Sequence, residues 1–161
     1  MKNRKMVTIA MLMALAILLH FIDSMIPLPV IPGFHLGLAN IVGLIALFKY
    51  DDKTMIGINF MRVILSSLLN GTIFGHVFLL SASGVLLATT VAILFYRFTG
   101  LSKIGISVGS SVAHCVGQIL AGILLYNQVL MISFLPIALL MSIPTGIMTG
   151  VVATQVLKRI K

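Results

Sequence analysis

The chain of 161 residues is poor in charge, and above all in negative charge. Only three residues are Asp or Glu, against eleven Lys and Arg, and charged residues make up 9% of the sequence while hydrophobic residues make up 60%. A soluble domain of this length could not cover its surface with so few polar groups. The sequence therefore predicts an integral membrane protein. Because the basic residues flank hydrophobic segments and form no continuous face, nucleic-acid binding is disfavoured.

The sequence lacks the residues that several kinds of chemistry usually require. The single cysteine, Cys115, excludes an internal disulfide. No phosphate-binding loop of the GxxxxGK[ST] type occurs, so any ATP must be used by a partner. The four histidines have no HxxxH or HxxH spacing and no carboxylates cluster, which disfavours a metal site. We therefore expect no enzyme activity, no catalytic residue, no metal and no cofactor in this chain.

The hydrophobic segments predict one domain, residues 1–161, folded as a compact all-α bundle of six transmembrane helices. The predicted spans are about Met6–Ile22, Leu36–Phe48, Thr54–Leu69, Ile73–Tyr96, Ile104–Tyr126 and Leu130–Leu157. A helix needs about 20 residues to cross a bilayer, so the second and third spans are short. Five spans with one re-entrant segment are the alternative. The N-terminal run resembles a signal sequence, but Ala14-Leu15-Ala16 lies inside it, which favours a retained first span.

The basic residues predict the orientation of these spans. Ten of the eleven lie in the two tails or near residues 50 and 100, which six spans place on one side. The loops Asp23–His35, Asn70–Thr72 and Asn127–Gln128 fall on the other side and carry none. By the positive-inside rule, both termini are cytoplasmic. The proline-rich loop Asp23–His35 is predicted to be stiff and extended, either as a lid over a site or as a plain connector.

Small residues recur at every fourth position in two spans. They are Gly105, Gly109, Ala113, Gly117 and Ala121 in the fifth span, and Ala138, Ser142, Gly146, Gly150 and Thr154 in the sixth. Such spacing lets helix backbones approach closely, so we predict that both runs pack inside the bundle. Pro144 is expected to kink the sixth span. Ala10 and Ala14 form a similar pair in the first span, where spacing alone does not separate an internal seam from a contact with another subunit.

Arg62 is the one basic residue inside a predicted span. Near the bilayer centre an arginine costs about 2.5–3.5 kcal/mol, so it needs a partner, a wet cavity or a ligand. Helical spacing places it on one face of the third span with Asn59, Ser66 and Asn70, and a second polar face occurs on the fifth span. With both termini inside, these polar atoms gather in the outer half and predict a cavity open to the outside. The predicted substrate-binding residues are His20, Asp23, His35, Asn40, Arg62, Ser66, Asn70, His114 and Gln118. The alternative is that Arg62 forms a structural pair with Asp23, that His114 and Gln118 form interhelical hydrogen bonds, and that His20, His35 and His76 are interfacial.

Three segments carry a family resemblance. They are residues 32–42 (PGFHLGLANIV), 62–71 (RVILSSLLNG) and 111–118 (SVAHCVGQ). Together they resemble signatures of a family of small bacterial membrane proteins, the Gx transporter family, also catalogued as heptaprenyl diphosphate synthase component I. The similarity covers nearly the whole chain, although that family more often has Asn at the position of Cys115.

That family is similar to the substrate-binding S components of energy-coupling factor transporters. Those are six-helix proteins of the bacterial cytoplasmic membrane that capture a vitamin or related nutrient from outside. They dock on a transmembrane scaffold subunit and two ATPase subunits. Ala10 and Ala14 match the Ala-x-x-x-Ala motif by which their first helix contacts the scaffold. The resemblance therefore implies a transport subunit whose first outer loop closes over the ligand.

Three functions stay open from the sequence. The first is the S-component-like subunit, the second a membrane accessory component of isoprenoid or quinone biosynthesis, and the third a small channel or autonomous carrier. Prenyl chain elongation needs Asp-rich motifs that hold Mg²⁺ against a diphosphate, and this chain has only Asp23, Asp51 and Asp52. We therefore expect no prenyl transfer by this chain alone. Arg62 with its polar neighbours favours an anionic or strongly hydrogen-bonding ligand, such as a flavin-like, quinone-precursor or phosphate-bearing compound.

Overall fold

Helices account for nearly all of the chain that the computed structural model describes, which is residues 2–25 and 38–160. The helices are α1 (Lys2–Met25), α2 (Asn40–Lys49), α3 (Asp52–Leu69), α4 (His76–Phe98), α5 (Lys103–Tyr126), a 3₁₀ helix (Val129–Phe134) and α6 (Leu135–Arg159). No strand occurs within these two described segments. The all-α prediction is thus confirmed for them. Most of the predicted outer loop, including His35, lies outside the described residues.

Four helical stretches are long and apolar enough to cross a membrane. They are Lys5–Asp23 in α1, His76–Phe98, Lys103–Tyr126 and Val129–Arg159. With 18 residues, α3 is long enough too, but it carries Asp52, Lys53 and Arg62 along its length. With only ten residues, α2 extends over about 15 Å, half of a bilayer core. The four long apolar stretches indicate a membrane protein.

The short helix α2 lies at the centre of the bundle. It packs against α1, α3, α4 and α6, and eight of its ten residues are buried. Between Asn40 and Lys49 its sequence has no polar side chain, which suits a helix that is enclosed on all sides. Leu44 and Ile45 pack in the main hydrophobic core with Met55 and Ile58 of α3. The core of the protein is therefore built around α2.

Glycines bring α5 close to its two neighbours. A Cβ atom added at Gly117 would lie 2.8 Å from the carbonyl oxygen of Ser83 in α4. Cβ atoms added at Gly146 and Gly150 of α6 would lie 2.7 Å and 2.9 Å from backbone Cα atoms of α5. Only glycine permits such approach of helix backbones. The prediction that the two runs of small residues pack inside the bundle is confirmed at these positions, and α6 continues without interruption through Pro144.

Charged side chains join several segments at one end of the bundle. Lys5 of α1 forms an ion pair with Asp51, N···O 3.4 Å, and Arg97 near the end of α4 pairs with Asp52. Nζ of Lys49 donates a hydrogen bond of 2.8 Å to the carbonyl of Ile160, after the end of α6. These contacts place the start of α1, the α2–α3 turn and the ends of α4 and α6 together. We call this region the ionic end.

Asp51 also explains where α3 begins. Its carboxylate accepts hydrogen bonds from the backbone N–H and the hydroxyl of Thr54, at 2.7 Å and 2.6 Å. This is the usual arrangement of an N-cap aspartate. The hydrogen bonds from Thr54, and then the charge of Lys5, hold the pKa of Asp51 below its ordinary value. The carboxylate is therefore ionised at neutral pH and committed to local structure.

Candidate functional site

Polar side chains from four helices meet around one narrow cavity inside the bundle. Its lining consists of His20 and Asp23 from α1, Arg62 and Val63 from α3, Ser81 and Val85 from α4, and His114 from α5. The empty volume is about 220 Å³, but the space that the centre of a water molecule can reach is only about 10 Å³. That is room for roughly one water molecule. In this conformation the cavity is too narrow for a nutrient-sized ligand.

Arg62 lies in the wall of this cavity with only 2% of its surface exposed. Its Nη2 atom donates to Oδ1 of Asn40 over 3.4 Å, which is long for a hydrogen bond, and its Nε atom has no partner among the described residues. Asp23 lines the same cavity and attracts Arg62 electrostatically. The guanidinium therefore has an opposite charge nearby and retains hydrogen-bonding capacity.

Further buried polar atoms inside the bundle also have no partner in the described part of the chain. They are Nδ2 of Asn40, Oγ of Ser81, Oδ1 of Asn59, and both the oxygen and the nitrogen of the Gln118 amide. A buried donor or acceptor without a partner costs about 1–3 kcal/mol. In native proteins such atoms are usually satisfied by ordered water or a ligand. The concentration of these atoms on α2 to α5 indicates a region that holds water or a ligand.

Gly84 of α4 makes room for two of the predicted residues. A Cβ atom added there would lie 2.8 Å from Cγ of Gln118 and 2.9 Å from Cε1 of His114. Neither Gly84 nor Ser81 was predicted to belong to the site, because the fourth span lacks a polar face. The available signal was their spacing of three residues, which places two small residues on the same face of the helix.

The structure places the predicted residues at different distances from the cavity. His20, Asp23, Arg62 and His114 line it, Asn40 contacts Arg62, and Gln118 packs against Gly84. Ser66 is buried outside the lining, and its hydroxyl donates to the carbonyl of Val63. Asn70 is exposed at the end of α3 and does not line the cavity. His35 falls outside the described residues.

Ala10 and Ala14 lie on the outward face of α1. Both are exposed, whereas Leu12 and Ala16 on the other face are buried. Among the described residues, no other helix of this chain covers the pair. The structure therefore removes one of the two alternatives for this spacing, an internal seam, in the part of the chain described.

Fold and cavity together define a class: a helical bundle of membrane character with a polar, arginine-containing cavity in its interior. The chain matches the family model of heptaprenyl diphosphate synthase component I over residues 12–156. Because the match covers most of the sequence, the protein belongs to this family. Comparison with curated proteins and with solved structures found no match. The resemblance to heptaprenyl diphosphate synthase component I inferred from the three sequence segments is thus confirmed. The relation to Gx transporters and to energy-coupling factor transporters stays a prediction.

Proposed function

We propose that this protein is a substrate-binding subunit of an energy-coupling factor type transporter in the bacterial cytoplasmic membrane. It captures a small nutrient or cofactor precursor from the outer side, and a transmembrane scaffold subunit and ATPase subunits complete the uptake. The observation that carries the proposal is the cavity around Arg62, in which Nε of Arg62 and Oγ of Ser81 are buried and have no partner among the described residues. A purely structural bundle gains nothing from such atoms, because each one is destabilising without a partner.

The proposal includes six spans with both termini in the cytoplasm. The ionic end gathers basic residues of several segments, whereas the cavity lies towards the other end, near the C-terminus of α1 and the N-terminus of α4. The positive-inside rule assigns the ionic end to the cytoplasm and hence the cavity to the outer half. In this arrangement α2 and α3 are short spans that neighbouring helices shelter from lipid.

Cysteine labelling tests this topology. Because Cys115 is buried and free, it should contribute little background to impermeant maleimide labelling of intact cells. We expect Lys53→Cys and Lys161→Cys to be labelled only after the membrane is permeabilised, and Pro29→Cys to be labelled from outside. Labelling of Pro29→Cys and Lys161→Cys from the same side would contradict the six-span model.

Mass spectrometry of small molecules that co-purify with the protein is the direct test of substrate binding. The protein should be extracted in mild detergent, and the bound fraction compared with that of an Arg62→Ala preparation. A compound present in the first and depleted in the second supports the proposal. If neither preparation retains a compound, and no candidate nutrient raises the melting temperature, the binding function fails.

A second candidate is an accessory role in heptaprenyl diphosphate synthesis, which the name of the family favours. Catalysis of prenyl transfer within this chain has little support, because Asp51 and Asp52 are paired with Lys5 and Arg97 at the ionic end. The Mg²⁺-binding carboxylates that the reaction needs would have to come from a soluble partner. Co-purification separates the two candidates: ATPase and scaffold subunits indicate transport, and a soluble prenyl synthase indicates the accessory role.

The transport proposal assigns scaffold docking to Ala10 and Ala14. Replacing both with leucine should abolish co-purification of the scaffold subunit, because bulky side chains prevent the close approach of a partner helix. Since both alanines are exposed, the isolated protein should stay folded and bind its ligand. Thr90→Leu, a similar enlargement on the exposed face of α4, serves as the control and should leave association intact. Wild-type yields of partner with the double variant would exclude docking through this pair.

A further inference from the structure

The first residue of α2 lies inside the bundle rather than at its surface. Asn40 begins the helix, has only 2% of its surface exposed, and accepts the hydrogen bond from Arg62. A helix carries a partial positive charge at its N-terminus, roughly half an elementary charge. In membrane proteins, short helices that begin inside the bundle direct this charge at anionic groups. The start of α2 therefore adds to the positive potential at the Arg62 side chain.

The side chains at this point offer donors in excess of acceptors. Oδ1 of Asn40 accepts from Arg62, so the Asn40 amide presents its Nδ2 donors, and this nitrogen has no partner among the described residues. Nε of Arg62 likewise has no partner among the described residues. The N–H groups of Ile41 and Val42 are used by the carbonyls of Leu38 and Ala39. The contribution of α2 is thus its dipole, while Arg62 and Asn40 supply the free donors.

The Asp23 carboxylate limits the charge of what can bind. It lines the cavity together with His20, Ser81 and His114. A group with one negative charge gains from Arg62 and from the α2 dipole and is repelled by one carboxylate. A second negative charge on the same group would meet Asp23 without a second fixed cation in the lining.

We propose that Arg62, Asn40 and the first turn of α2 form an anion site for one singly charged group of the ligand, a carboxylate or a monoanionic phosphate. This inference rests on the proposed substrate-binding function and specifies the chemical class of the substrate. Because the cavity now holds about one water molecule, a bound anion requires it to widen. The helix that can yield is α1, which contributes His20 and Asp23 and packs mainly against α2 and α3.

Asn40→Asp tests the site by building an anion into it. The new carboxylate takes the place of the bound group beside Arg62, so the unliganded variant should melt at a higher temperature than the wild type. Purified full-length protein is titrated at pH 6 with sodium acetate or monobasic phosphate, with sodium chloride at matched ionic strength as reference. The wild type should show a saturable rise in melting temperature with both anions. Asn40→Asp should lose it, with at least about a tenfold drop in apparent affinity.

Two further variants separate the site from general charge effects. Gln128→Glu makes the same change of an amide to a carboxylate at an exposed position outside the site and should keep the wild-type response to both anions. Asp23→Asn removes the opposing carboxylate and should strengthen the response. If the wild type shows no anion-dependent rise, or if Asn40→Asp retains it, the anion site is excluded. A neutral co-purifying ligand whose binding depends on Arg62 would overturn the anion site but leave the substrate-binding function standing. Saturable anion binding by a protein that associates with no transporter partners would leave the anion site standing but overturn the proposed transport function.

Discussion

Replacing Gly117 or Gly146 with leucine should leave little folded protein in the membrane. At Gly117, even a methyl group would lie 2.8 Å from a backbone oxygen of α4, and at Gly146 it would lie 2.7 Å from the Cα atom of Val108. Backbone atoms cannot move aside as a flexible side chain can, so the helices must separate. Overpacking of a core typically costs about 1–3 kcal/mol and sometimes more, and separation of α5 from a neighbouring helix places these sites at the upper end. Yield after size-exclusion chromatography and melting temperature in detergent measure the effect.

Gly57→Leu is the matched control for this prediction. Gly57 lies in the second turn of α3, and a Cβ atom added there meets no atom within 4 Å. It faces a groove between α1 and α3 that also contains Ile9 and Met13. The variant should express and melt close to the wild type. If Gly57→Leu is as damaging as Gly117→Leu, close backbone approach is not the reason for the loss.

The packing of α4, α5 and α6 was accessible from sequence because it depends on a local rule. Small residues at four-residue spacing in an apolar helix mark a close helix contact, and the contacts of Gly117, Gly146 and Gly150 follow it. The grouping of basic residues into a few segments likewise anticipated which ends of the helices meet, as the Lys5–Asp51 pair shows. Both features can be predicted from the helical period without knowledge of the three-dimensional arrangement.

The cavity was predictable only in part, because it depends on how helices are rotated about their axes. Extrapolating the helical period placed Asn59, Arg62 and Asn70 on one face of the third span, but only Arg62 lines the cavity. Asn59 donates to Thr89 at 2.9 Å and fits against Gly43, and Asn70 lies where α3 ends and the chain turns away. Periodicity identifies a polar face and not the neighbour that each residue meets.

The sequence patterns also did not predict how small the space enclosed by the polar residues is. A polar stripe predicts that water or a ligand is present, yet the volume is decided by the distance between helix axes and by single residues such as Gly84. The central position of α2 is a second case. Its apolar run fits equally well a short span exposed to lipid and a helix fully enclosed by protein. Only its contacts with four neighbouring helices show that it is enclosed.

The second large effect concerns Arg62 itself. Arg62→Ala should weaken ligand binding by at least about 30-fold, which corresponds to about 2 kcal/mol, because it removes a buried charged donor whose partner is the ligand. Arg62→Lys should recover only part of the affinity, since an ammonium group lacks the planar fork of donors that a guanidinium offers. Arg97→Ala is the control: it removes a charge of the same sign that pairs with Asp52 at the ionic end, far from the cavity, and should leave affinity unchanged.

The competing interpretation is a structural pair between Arg62 and Asp23. In that case Arg62→Ala and Asp23→Asn would both lower the melting temperature by similar amounts, and the surviving folded protein would bind ligand with wild-type affinity. The geometry favours the ligand contact, because the hydrogen bond from Arg62 to Asn40 is long, at 3.4 Å, and the Nε atom of Arg62 stays without a partner in the described segments. We therefore expect Asp23→Asn to change stability less than Arg62→Ala changes affinity. Measuring melting temperature and affinity for both variants decides between the two, and unchanged affinity in a folded Arg62→Ala protein would assign the arginine to structure alone.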